Sequence, residues 1–161
     1  MFKIGDKIVY PMHGAGVIES IEEKEILGTR QQYYVMKMPI GEMKVMIPLS
    51  NVADIGIRAI IDADAAENVI HYFKTITTST TANWNKRYRE NMIKIKSGDI
   101  EEVAIVVKNL MLRDREKGLS TGERKMLNNA KQIFLSELLL AKNQEPCVLE
   151  EMLDGLINIE E

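Results

Sequence analysis

The chain has 161 residues with 21 basic and 24 acidic side chains, two histidines, one cysteine and a net charge of −3. No apolar run approaches the ~20 residues a membrane span needs, and a lone Cys147 excludes both an internal disulfide and a cysteine-rich metal motif. A length in this range suits one or two soluble domains with mixed charge, and the polar start Met1–Asp6 lacks the apolar core of a signal peptide, so a cytoplasmic protein is expected.

The first ~50 residues predict short strands punctuated by Gly and Pro. Lys7-Ile8-Val9-Tyr10 lies between Gly5-Asp6 and Pro11. Val17-Ile18-Glu19-Ser20-Ile21 follows Gly14-Ala15-Gly16, read as a small-residue turn. Gln32 to Met38 follows Leu27-Gly28-Thr29, and Met43 to Ile47 lies between Gly41 and Pro48. Runs at this spacing predict a small, strongly bent barrel or sheet, a size suited to an interaction module rather than an enzyme cleft.

Helical periodicity begins at Asp62, a good N-cap, with Val69, Ile70, Tyr72 and Phe73 on one side. The β-branched polar stretch 75–82 predicts a loop. Asn83 predicts the cap of a helix running to about Lys96, with Tyr88, Met92 and Ile95 inward, ended by Ser97-Gly98. Asp99-Ile100-Glu101-Glu102 and Ser120-Thr121-Gly122-Glu123 have the form of capping boxes. The first opens a helix to about Lys117-Gly118, and the second a long helix with Met126, Leu127, Ala130, Ile133, Phe134 and Leu138 in one stripe. Pro146 suits the first turn of a last helix. The pattern is α+β and multidomain: a β module over residues 1–56, then a compact all-α domain over residues 57–161, divided near Gly56.

Nothing in the chain assembles a catalytic group. His13 sits in a Pro-Met-His-Gly turn, His71 lies among apolar neighbours on a helix, and Cys147 has no histidine nearby in sequence. Gly14-Ala15-Gly16 lacks the Gly-Lys-Ser/Thr ending of a phosphate loop. No enzyme activity, cofactor or metal is expected.

Charge is distributed unevenly. Residues 1–80 hold 8 basic and 10 acidic residues, residues 81–144 hold 13 and 8, and residues 145–161 hold none and 6. The only tryptophan, Trp84, stands where the chain turns basic, in Asn83-Trp84-Asn85-Lys86-Arg87-Tyr88-Arg89. A flat apolar ring beside cations suits either packing of a helix start on the core or stacking on a nucleic acid whose phosphates the cations hold. Lys86 and Arg89 are three apart, so both can hold phosphates, while Tyr88 points inward. Arg124-Lys125 place cations in the first turn of the long helix, unfavourable for its dipole and so a hint of an anionic partner. No pattern matches a major-groove code, so little direct base readout is expected.

The motifs Phe2-Lys3-Ile4-Gly5-Asp6-Lys7-Ile8-Val9-Tyr10-Pro11-Met12-His13-Gly14-Ala15-Gly16, Asn83-Trp84 with Arg87-Tyr88, Ser97-Gly98-Asp99, Arg113 to Ser120 and Gly122 to Leu127 occur in order along almost the whole chain. In this they resemble the bacterial CarD/CdnL transcription regulators. The resemblance implies a Tudor-like N-terminal β-barrel docking on the β subunit of RNA polymerase, with Lys24 at a basic position linked to that contact; Lys44 and Met46 are expected on the same contact. Members of the family carry an arginine where this chain has Met46. It further implies that the helical domain lies on promoter DNA at the upstream edge of the bubble, with Trp84 as a minor-groove wedge and Lys86, Arg89 and Arg124 at DNA-contacting positions; Arg87 and Lys125, from the same basic clusters, complete the expected DNA-binding set. The expected protein is a monomer without a membrane partner. A reading of another class is a protein–protein adaptor, with Trp84 in the core and the basic face meeting an acidic protein.

Overall fold

The computed structural model describes residues 2–39, 43–76, 83–143, 151–152 and 154–155. Five antiparallel strands, β1 (Lys7–Tyr10), β2 (Gly14–Ile26), β3 (Thr29–Lys37), β4 (Lys44–Pro48) and β5 (Arg58–Ala59), form one sheet in the order β4-β3-β2-β1-β5. A register shift between Ile18 and Ser20 bulges β2, which bends the sheet. One face buries Ile8, Ile18, Tyr34, Met36, Met38 and Ile47, and the architecture is Tudor-like. A 3-10 turn (Leu49–Asn51) and a one-turn helix α1 (Val52–Ile55) precede β5. Because β5 pairs with β1, the sheet continues beyond Gly56, and the change from sheet to helix falls between Ala59 and Asp62.

Two expectations change here. Gly14-Ala15-Gly16 is not a turn but the start of β2, with Tyr10 opposite Gly14 and Ile8 opposite Gly16. The small residues serve close packing instead, since a Cβ on Gly16 would lie 2.5 Å from Met36 Cγ and 2.7 Å from the Lys37 carbonyl oxygen. The β2–β3 hairpin is also longer than its apolar pattern. Its outer half, residues 21–30, is solvent-exposed, so burial could not mark it.

Four helices follow: α2 (Ala63–Thr75), α3 (Trp84–Lys96), α4 (Ile100–Glu116) and α5 (Thr121–Lys142). The N-cap side chains expected at Asp62, Asn83, Asp99 and Ser120 each accept a backbone N–H, although Asp99 does not close the expected box with Glu102, its own amide donating to Ser97 Oγ instead. Asp62 accepts from the Ala65 amide, Asn83 from Lys86, Asp99 from Glu101 and Ser120 from Glu123. The expected inward stripe of α5 is buried throughout and packs with Val69, Phe73, Val103 and Val107. Lys108 of α4 is buried because its ammonium donates to the carbonyl oxygens of Phe73 and Lys74 at the end of α2. The loop expected over 75–82 lies mostly outside the described residues, as do Pro146 and Cys147. No helix among the described residues is long and apolar enough to cross a membrane.

Sheet and helices meet along the second half of α5. Ser136 Oγ accepts the buried Ala15 N–H at 2.8 Å and donates to the Ile133 carbonyl at 2.8 Å. Gly14 makes this approach possible: its φ is +110°, and a Cβ there would stand 2.7 Å from Ser136 Oγ. Nearby, Arg58 grips the buried Glu137 carboxylate with two hydrogen bonds of 2.7 Å, and the Ile61 amide donates to the same carboxylate at 3.0 Å.

Candidate nucleic-acid interface

The start of α3 sits against the start of α5. Asn83, Trp84, Asn85 and Lys86 form an exposed first turn. The Trp84 ring is 42% exposed, so it is not a core residue. Its indole N–H donates to Ser120 Oγ, the cap of α5, at 3.1 Å. Its inner face stacks on Tyr88, with centroids 5.0 Å apart and planes 20° apart. Gly122 fits beneath both rings, its missing Cβ position 3.5 Å from Trp84 Cζ2 and 3.9 Å from Tyr88 Cε2. The ring is thus supported on one side and open on the other.

Helical geometry separates the cations from the ring. Trp84, Arg87, Tyr88, Asn91 and Ile95 fall on the inward stripe of α3, whereas Lys86, Arg89, Ile93 and Lys96 are exposed on the opposite side. Trp84 is exposed because it overhangs the helix end. Ring and cations therefore meet only at the tip, where Lys86 and Arg89 form no ion pair among the described residues. Arg124 and Lys125, in the first turn of α5, are exposed as well. Arg124 donates to Asp114 at 2.7 Å. That pair is largely exposed, and such pairs contribute about 0–1 kcal/mol, so it can exchange for a phosphate. Two helix N-termini converge here, and their dipoles add positive potential.

Arg87 requires a correction. It was expected to bind DNA, but it is 5% exposed and lies beneath the tip. Its Nε and Nη2 donate to the two Glu123 carboxylate oxygens at 2.8 and 2.9 Å, and Glu123 is 2% exposed. A buried side chain whose fork is filled has no surface for a phosphate. Glu123 changes role too: Ser120 caps its amide at 3.2 Å as expected of a capping box, while its carboxylate turns inward to Arg87. The Arg87 hydrogen bond is the main force holding the Glu123 carboxyl below its ordinary pKa, against the opposing effect of burial, with smaller help from Arg113 and the Trp84 N–H. The same pairing raises Arg87.

On the β module, cross-strand register places the other expected contacts together. Lys24 stands opposite Gln31, Met46 opposite Val35, and Lys44 opposite Lys37. Alternation along β3 puts residues 31, 35 and 37 on one side, so all three lie on the face opposite the Ile8–Met36 core. Lys24 and Lys44 are exposed and Met46 is half-buried. Lys44 also pairs with Glu19 at 3.0 Å.

The histidines stay apart. His13 is an exposed turn residue against Tyr10, at 4.3 Å between ring centroids, and His71 is exposed on α2. No cluster of His, Cys, Asp and Glu among the described residues could hold a metal ion.

The family model described as CarD-like/TRCF RID domain matches residues 2–61, and that described as CarD, C-terminal domain matches residues 68–154. YdeB of Bacillus subtilis (strain 168), whose name marks it as a candidate transcription factor, is 49% identical over 142 residues, covering 88% of this chain and 93% of that protein. Two solved structures from Myxococcus xanthus are similar over the N-terminal part. The 72-residue N-terminal domain of CarD is 30% identical with a TM-score of 0.33, covering 37% of this chain and 79% of that one. CdnLNt is 44% identical with a TM-score of 0.34, covering 38% and 86%.

Proposed function

The chain belongs to the CarD/CdnL family of RNA polymerase-interacting transcription factors, and from that premise we propose that it stabilises the open promoter complex. The N-terminal sheet holds the polymerase β subunit through the face carrying Lys24, Lys44 and Met46. The α3–α5 tip meets promoter DNA at the upstream edge of the bubble, where the Trp84 ring enters the minor groove. Lys86, Arg89, Arg124 and Lys125 hold the flanking phosphates. The protein acts as a monomer in the cytoplasm and performs no catalysis.

The observation that carries this reading is Trp84: an apolar ring 42% open to solvent, backed by Tyr88 and fixed to Ser120 at a cationic tip. A ring that finds a stacking partner only at an unstacked step favours the melted state over the duplex. Its effect on the equilibrium equals its differential affinity. Base–aromatic stacking contributes about 1–3 kcal/mol, which corresponds to roughly 5- to 150-fold. The cations supply affinity without sequence readout, and polymerase docking raises their effective concentration at the promoter. A protein with a net charge of −3 can therefore act on DNA. Met46 makes the docking face more apolar than a cation at that position would.

Trp84→Ala is the test. Polymerase binding and thermal stability should remain close to wild type, while open-complex lifetime in a heparin-challenge assay falls about 5- to 150-fold. An unchanged lifetime would overturn the proposal. A large fall in melting temperature would instead favour the adaptor reading, which the exposure of the ring opposes.

A further inference from the structure

A buried ion pair is a poor way to gain stability, because desolvating two charges offsets most of their attraction, and an apolar pair of similar volume often does as well or better. The pair Arg87–Glu123 nonetheless sits between α3 and α5, one helical turn below the two residues that meet at the tip. Trp84 precedes Arg87 by three positions on α3, and Ser120 precedes Glu123 by three on α5. The two helix starts are thus joined twice in register: Trp84 to Ser120 at the surface, and Arg87 to Glu123 underneath. The surface bond goes to a rotatable hydroxyl, and the indole N–H also interacts, more weakly, with the Glu123 carboxylate. The lower link is a two-point fork to a fixed carboxylate, and planar fork geometry restricts both distance and angle. Arg113 approaches from α4, its Nε buried with no hydrogen-bond partner among the described residues, and its charge also favours the ionised Glu123 carboxylate.

We propose that Arg87 and Glu123 are the positioning residues of the Trp84 ring: the pair sets the spacing of α3 against α5, so that the indole is held in one rotamer before DNA arrives. The inference rests on the reading of Trp84 as the DNA-contacting ring. Without the lower link, α3 can shift against α5, Ser120 moves out of reach, and the ring regains its torsional freedom. Three staggered wells at χ1 and about two at χ2 give roughly six rotamers. Releasing the ring should therefore weaken its action by about two- to sixfold, well short of the loss expected for Trp84→Ala.

The chain has one tryptophan, so its indole N–H gives one NMR cross-peak, a direct reporter of ring order. Glu123→Gln keeps the shape and removes the charge, and Arg87→Lys keeps the charge and removes the fork. In both variants the indole heteronuclear NOE should fall and its amide-type exchange with water should quicken. Open-complex lifetime should shorten about two- to sixfold at a temperature where the variant remains folded. An indole as ordered as wild type in either folded variant would overturn the inference. So would a loosened indole with an unchanged lifetime, provided Trp84→Ala does shorten it. If Trp84→Ala itself leaves the lifetime unchanged, the functional reading fails, and the positioning role is then decided by the indole NOE alone.

Discussion

Removing one member of the Arg87–Glu123 pair should destabilise the helical domain, whereas removing both should not. Both side chains are almost fully buried, and the fork makes bonds of 2.8 and 2.9 Å, so a single truncation leaves a buried charge without its partner, at a cost of about 3–5 kcal/mol. For a chain of this size each kcal/mol lowers the melting temperature by about 2–4 °C, giving a fall of roughly 6–20 °C. The two truncations should differ. Arg87→Ala leaves Glu123 still attracted to Arg113, whereas Glu123→Ala leaves Arg87 and Arg113 facing each other, so the second should lie nearer the upper end. The double variant Arg87→Met/Glu123→Leu, which fills the space with apolar groups, should return to within about 1 kcal/mol of wild type or exceed it. Urea unfolding followed by circular dichroism measures all four proteins. Arg87→Ala within 1 kcal/mol of wild type, or a double variant as unstable as the two single changes added together, would refute the reasoning.

Other consequences can be measured separately. Because the Glu123 carboxyl is held below its ordinary value of 4.5, chiefly by Arg87, its stabilisation is complete above that value and is lost as pH falls through the folded-state pKa. The melting temperature should drop between pH 4.5 and 3 more steeply in wild type than in Glu123→Gln, and equal slopes would refute the linkage. Ser136→Ala leaves the buried Ala15 N–H unpaired and should cost about 1–3 kcal/mol, with faster hydrogen exchange at that amide; an exchange rate like wild type would show that another acceptor replaces the hydroxyl. Lys86→Ala should weaken binding to duplex DNA and reduce the log–log salt slope by about 0.9, and an unaltered slope would remove Lys86 from the phosphate contacts.

Much of this was legible in the sequence because it is local. Asp62, Asn83, Asp99 and Ser120 announce helix starts by chemistry acting within three residues, and the stripe Met126 to Leu138 reports burial by periodicity. In the sequence Arg87 reads as one more surface cation, because its partner, Glu123, lies 36 residues away and one cation among several looks the same whether it faces inward or out. The helical phase did contain a clue: Arg87 shares the inward side with Tyr88 and Ile95. A similar signal marks the contact between modules. Glu137 occupies an inward position of the α5 stripe, seven residues after Ala130, and a carboxylate there needs a partner. That Arg58 from the sheet supplies it depends on the tertiary arrangement alone.

The seam where Ser136 meets Ala15 and Glu137 meets Arg58 makes the molecule resemble a caliper more than a tether. If the proposed contacts hold, the jaws are the Lys24–Met46 face and the Trp84 tip, and the pinned α5 fixes the gap between them. In the proposed complex such a device reads distance. One base pair added between the polymerase contact and the bubble edge moves the target step along the duplex by about 3.4 Å and turns it about the axis. A flexible linker would follow that displacement, whereas a rigid one would lose the contact, so promoters would be distinguished by geometry even where their bases are never read.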